Sequence, residues 1–234
     1  MGKSARSKAQ RAKAAQKAVA AARGSYRGVG WWIVGAVLVV ALAVVLIVAV
    51  VNRSSGPNQA EASVPTTPIT TASGREVPPP WPAPADPAAA VRAAGLPMLG
   101  SEGTVEHIHA HLDVLVDGKP VAVPAGIGID EAANTISPVH THDAAGVIHI
   151  ESPTQAPFSL AQLFTEWQVA LDHNRIGGLT TTGGNTLRAY VNGKEVTGNP
   201  AAITLQAHDE IALVYGPVTD HTAVPQTYTW PAGE

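Results

Sequence analysis

The order of apolar and polar residues divides the chain into segments of different kinds. Residues 31–51, WWIVGAVLVVALAVVLIVAVV, are apolar without interruption. About 21 residues at roughly 1.5 Å each make a helix long enough to cross the hydrocarbon core of a bilayer. Residues 52–85 show no period and are rich in Pro, Ser, Thr, Ala and Gly, ending in PPPWPAPADP. Such a stretch buries too little apolar surface to offset its ordering, and its prolines favour extended conformations, so a semi-rigid spacer is expected. Asp86 as N-cap, Pro87 at the first helical position and Gly95 as the stop then bound a short helix through AAAVRAA.

From Val105 the period becomes two. VEHIHAHLDVLV alternates strictly, runs into Asp117-Gly118, and returns as KPVAVP, a hairpin signature. PAGIGID, ANTISPVHTHD and GVIHIE follow as further extended segments. The period then changes to that of a helix. Ser159 and Gln162 form a capping box, Phe158 and Leu163 a hydrophobic staple, and Leu160, Leu163, Phe164, Trp167 and Leu171 a single stripe. After a Gly- and Thr-rich loop, LRAYV, Asn192-Gly193, KEVT, ITL and EIALVYG read as closing strands. LDVLVDGKPV and LRAYVNGKEV share a hairpin form, which common turn chemistry explains without duplication. The expected fold class is α+β: a mainly antiparallel β domain with one packed helix, preceded by a single transmembrane helix. The expected divisions are a basic tail (1–30), the spanning helix (31–51), the linker (52–85), the β domain (86–218) and a C-terminal tail (219–234).

Charge orients this plan. Lys3, Arg6, Lys8, Arg11, Lys13, Lys17, Arg23 and Arg27 precede the apolar run without a single acid, whereas all 18 Asp and Glu lie after it. The positive-inside rule therefore places the N-terminus in the cytoplasm and the main domain outside the cell, with Tyr26, Trp31 and Trp32 at the interface. Ala60-Glu61-Ala62 has the form of a signal-peptidase site, but it lies well beyond the run, and the run is too long for a signal peptide. The basic residues have the place of a topology signal on anionic lipid, and no nucleic-acid partner is expected.

The chemistry lies in the histidines. Six of the nine fall in two stretches: His107, His109 and His111 in HIHAHLD, and His140, His142 and His149 in HTHDAAGVIHIE. On a strand the first three share a face with Asp113, leaving Ile108, Ala110, Leu112 and Val114 to the core, and His149 shares a face with Glu151. Histidines two apart have Cα atoms about 6.6 Å apart and their rings can tilt onto one ion, whereas His107 and His111, about 13 Å apart, are too distant to share one without a bulge. The first ligand set is therefore His109, His111, His140 and His142, with His149 next. His107, Asp113, Asp143 and Glu151 are left for a second ion or as acceptors that orient the rings. The chain has no cysteine, which excludes disulfides, thiolate zinc, blue copper and iron–sulfur sites; nitrogen-rich ligation suits copper or zinc. Taken singly, an exposed histidine needs no explanation, and a face of histidines titrating near 6.5 would also serve as a pH-responsive surface. His173, His208 and His221 stand alone. Glu151 or Asp143, or Glu106 across a bulge, would be the base of a metal-dependent enzyme, but HExxH, GxSxG and phosphate-cradling motifs are absent.

Together HIHAHLDVLVDGKPVAVPAGIGI, ISPVHTHDAAGVIHIESP and FSLAQLFTEW resemble a bacterial family, common in actinobacteria, of membrane-anchored proteins with an extracytoplasmic His-rich domain. The resemblance covers about residues 100–216. It implies the same architecture and a site formed by His107, His109, His111, His140, His142 and His149, and it carries no activity with it. The leading expectation is a single-pass membrane protein that displays a copper- or zinc-binding domain outside the cell for metal capture, delivery or metalloprotein assembly. The alternatives are a metal-dependent extracytoplasmic enzyme and a metal-free module for an envelope membrane-protein partner.

Overall fold

The computed structural model describes residues 63–219 and 222–231. The basic tail and the spanning helix expected at 31–51 lie outside the described residues. Among the described residues no helix is long and apolar enough to cross a membrane. The domain is α+β and mostly β. Helix α1 (Pro87–Ala93) begins as expected, with Asp86 accepting the Ala89 N–H at 2.8 Å. Strands β1 (Glu106–Val116), β2 (Lys119–Val121), β3 (Ile129–Asp130), β4 (Thr135–Ile136), β5 (Val139–His140) and β6 (Val147–Ser152) follow. Helix α2 (Leu160–Glu166) precedes β7 (Leu171–Asp172), β8 (Arg175–Ile176), β9 (Leu179–Thr180), β10 (Asn185–Val191), β11 (Lys194–Val196) and β12 (Glu210–Pro217).

The main sheet has the order β11-β10-β12-β1-β6-β5. Strand β1 is long enough to take two partners along one edge, β6 at Glu106–His111 and β2 at Val114–Val116. The mainly antiparallel expectation holds around one exception: β1 and β12 are parallel. The two hairpins flank β12, and both turn through left-handed residues, Asp117-Gly118 and Asn192-Gly193. Positive φ at both central positions gives a turn whose twist matches the strands, which is why Gly follows Asp or Asn there.

One face of the sheet is core. Ala110, Leu112, Val114, Ile148, Ile150, Ile211 and Leu213 are buried together with Leu160, Leu163, Phe164 and Trp167 of the α2 region. Each fully buried large side chain contributes about 1.5–3 kcal/mol of transfer free energy. The helix starts where its cap places it, with Gln162 Oε1 accepting the Ser159 N–H at 3.0 Å. It is shorter than the stripe suggests: Gln168 takes a φ of 58°, and Leu171 reaches the core from β7 instead.

The stretch read as a spacer also differs from expectation. From Val64 onward it packs on the domain: Ala72 and Arg75 bridge to Leu171 and Val169, and Trp81 is buried edge-on against Trp167 with centroids 5.7 Å apart. The Arg75 guanidinium donates to the Pro82, Trp167 and Gln168 carbonyls. A proline-rich chain loses little entropy on ordering, so a few such anchors suffice to fix it.

Candidate metal centre

The other face of the sheet carries the histidines, and strand register assembles them. His109 pairs with His149, which pairs with His140, so three imidazoles form a row across β1, β6 and β5. The neighbouring row pairs His107 with Glu151. The His109 and His149 rings meet edge-on at 4.6 Å, and His140 and His149 stack at 5.2 Å.

His142 joins from beyond the end of β5. Between it and His140, the buried Thr141 is pinned on the far side: its hydroxyl donates to the Pro124 carbonyl at 2.8 Å and accepts the Ile127 N–H at 3.2 Å. With Thr141 held, the flanking imidazoles converge, and their Nε2 atoms lie 3.1 Å apart. Two nitrogens each about 2.0–2.1 Å from one ion would sit at about that separation. His140 Nδ1 donates to the Ser137 carbonyl at 2.9 Å, which leaves the Nε2 lone pair for a ligand. Burial pushes the His140 pKa down to about 4, against the opposing pull of the Ser137 carbonyl and Glu151. The ring is therefore neutral near neutral pH, as a metal ligand must be.

Glu151 completes this group. Its Oε1 is 3.4 Å from His149 Nδ1 and 3.5 Å from His107 Nε2. Burial by itself would raise its pKa, but the surrounding imidazoles outweigh burial and hold it low, so it stays a carboxylate. The ligand atoms of His140, His142, His149 and Glu151 all lie within 4.8 Å of one another, as do those of His107, His109 and Glu151. These groups are able to hold a metal ion. Glu102, with Oε1 3.7 Å from His142 Nε2, stands at the exposed side and also lines a cavity of about 470 Å³ with Asp130, Glu131, Asn134 and Thr135.

His111, although in the first ligand set expected from spacing, stands apart. Its Nδ1 is 2.8 Å from Glu210 Oε2 and its Nε2 is 2.8 Å from the Ala145 carbonyl. The Ala145 carbonyl and an ionised Glu210 are both acceptors and favour the imidazolium, with a proton on each nitrogen, while burial raises the pKa of Glu210 itself. Burial alone would lower its pKa; the Glu210 hydrogen bond, the Ala145 carbonyl and the charges of Glu210 and Asp113 together raise it. Gly146 permits this approach, because a Cβ there would lie 2.7 Å from the Leu112 carbonyl oxygen and 2.9 Å from His111 Nε2. Tyr228, in the C-terminal segment 222–231, stacks on the His111 ring at 3.9 Å. His111, Asp113 and Glu210 also lie close enough together to form a third group of ligand type.

The remaining expected residues have other partners. Asp143 accepts the Ala145 N–H in a turn, and Glu106 accepts the Ala156 N–H, away from the histidine face. His173 contacts the Gly198 carbonyl and His208 packs on Trp230. His221 is outside the described residues. Sequence reasoning missed Ser137, Thr141, Glu210 and Tyr228. Glu210 and Tyr228 reach His111 from far along the chain. Ser137 acts three residues from His140, and Thr141 lies between the two histidines of HTH, which was the one local signal. No protein-family model, curated protein or solved structure matches the chain.

Proposed function

We propose that the chain is a single-pass membrane protein with a cytoplasmic N-terminus, whose extracytoplasmic domain binds copper or zinc for metal capture, delivery or metalloprotein assembly. The observation that carries this reading is the convergence of His140 Nε2, His142 Nε2, His149 and Glu151, with the His140 tautomer set by the Ser137 carbonyl. Three imidazoles and a carboxylate form a borderline-soft set that suits Zn²⁺ or Cu²⁺ over Mg²⁺ or Ca²⁺. The apolar run at 31–51 and the basic residues before it support the membrane placement. His142 and Glu102 have half-exposed side chains, so an ion would reach the buried ligands through them, and the acidic cavity at Glu102 would gather cations. The same cavity favours a metal-dependent enzyme as the second reading, since it offers a substrate room beside the ligands.

Elemental analysis of the full chain, purified in detergent without an affinity tag, tests the reading. Copper or zinc near one equivalent or more is expected, with loss of at least one equivalent in a triple variant H140A/H142A/H149A. A parent that carries neither ion and binds neither on titration would overturn it. Retention of a water-exchangeable ligand position with turnover of a substrate would favour the enzyme.

A further inference from the structure

We propose that Glu151 is a bridging ligand and that the histidine face takes two metal ions, one on His140, His142, His149 and Glu151 and a second on His107, His109 and Glu151. This inference rests on the metal-binding reading above and deepens it.

The two groups are distinct in their histidines and share only Glu151. The sharing follows from register: Glu151 lies opposite His107 on β1 and two residues after His149 on its own strand, so its side chain stands between the two rows. Its Oε1 lies 3.5 Å from the His107 nitrogen of one group and 3.4 Å from the His149 nitrogen of the other. The second oxygen, Oε2, is buried and has no hydrogen-bond partner among the described residues. A buried, unsatisfied carboxylate oxygen is costly unless something occupies it. Its ion-pair partners among the described residues are His107 and His149, which are cationic only when protonated. With Oε1 between the two groups and Oε2 unsatisfied, the carboxylate has an oxygen to give each of two cations, in the manner of carboxylate-bridged sites whose ions lie about 3.5–4 Å apart.

The two positions are unequal. The first uses the fully buried His140, whose orientation is fixed by Ser137; the second ends in His107, whose side chain is 53% exposed. Two dications sharing one carboxylate also repel, so the second ion binds more weakly, by about tenfold or more. Filling is therefore stepwise, with the β5–β6 position first.

Cu²⁺ alone is the probe. The metal-free full chain in detergent is titrated with Cu²⁺ in the presence of a weak competing chelator, with bound copper measured after dialysis and the electron paramagnetic resonance spectrum recorded at each step. Two equivalents are expected: an isolated Cu²⁺ signal for the first, then loss or broadening of that signal and a half-field transition as the second arrives. The variant H107A/H109A should stop at one equivalent with an isolated signal, and Glu151→Gln should show no coupled pair. Circular dichroism of each metal-free variant checks that it is folded, and the wild-type spectrum tests the bridge without any variant. A wild-type chain that saturates at one equivalent, or binds two without spin coupling, overturns the bridge while leaving the proposed function intact. Two equivalents in H107A/H109A would do the same. A chain that binds no copper here and carries no zinc by elemental analysis overturns the proposed function itself.

Discussion

His140 and His111 lie on the same face of one sheet, both buried, yet their surroundings give them opposite chemistry. One nitrogen of His140 meets a backbone carbonyl and the other meets His142 Nε2. Both nitrogens of His111 meet acceptors, the Glu210 carboxylate and the Ala145 carbonyl. The first ring is a neutral base with a lone pair to offer; the second is held towards its protonated form under Tyr228. Histidine identity and strand parity are the same in both cases, so the groups behind each ring decide its role.

The largest test of that contrast exchanges the two rings' losses. Changing His140 and His142 to Ala should weaken copper or zinc binding on the order of 100-fold or more, with little change in the titration of His111. His111→Ala should leave binding at His140, His142 and His149 intact but cost about 3–5 kcal/mol of stability, because Glu210 becomes an unpaired buried carboxylate. Competition titration and chemical denaturation read the two effects separately.

Next in size is the pH dependence of the His111–Glu210 pair. The native state holds the His111 proton above its ordinary value near 6.5. The His111 contribution is therefore complete below about pH 6.5 and is lost as pH rises through its raised native value. Glu210, which burial also holds above its ordinary value near 4.5, adds a decline that begins at lower pH. Denaturation of the metal-free chain from pH 6 to 9 should show stability falling, and Glu210→Gln should flatten that slope.

Glu166, the last residue of α2, supplies a third test. It is fully buried, its Oε1 accepts the Ser137 hydroxyl at 2.6 Å, and its Oε2 has no partner among the described residues. Burial raises its pKa well above the carboxylate range, against the Ser137 hydrogen bond. The unfolded chain ionises first, so stability declines as pH rises from about 4.5 towards the native value. Glu166→Gln should remove that decline and add about 1–3 kcal/mol at neutral pH, as measured by denaturation at pH 4.5 and 7. The smallest effect is expected from Tyr228→Ala, about 1 kcal/mol from the lost stacking on a cationic ring, with metal stoichiometry unchanged.

Much of this was legible in the sequence where the determinants are local. Alternation in HIHAHLDVLV gives the two faces of β1, Asp117-Gly118 and Asn192-Gly193 give the hairpins, and Asp86-Pro87 gives a helix start. The histidines' common face followed from parity alone. Which of them converge did not, because that depends on register between strands and on loops far apart in the chain. Glu210 reaches His111 from the parallel strand β12, and parallel pairing leaves no turn to announce it. Composition points to a spacer before α1 because it reports average burial, whereas Trp81 and Arg75 act as individual anchors.

The most direct test follows the imidazole nitrogens themselves. Nitrogen-15 NMR of histidine side chains in the full chain, titrated with Zn²⁺ at pH 7, should show the His140, His142 and His149 ring signals moving to metal-bound positions. His111 should keep both ring protons throughout. If no ring signal moves, or if His111 loses a proton to the metal while His140 and His142 stay unchanged, the assignment of the centre is contradicted.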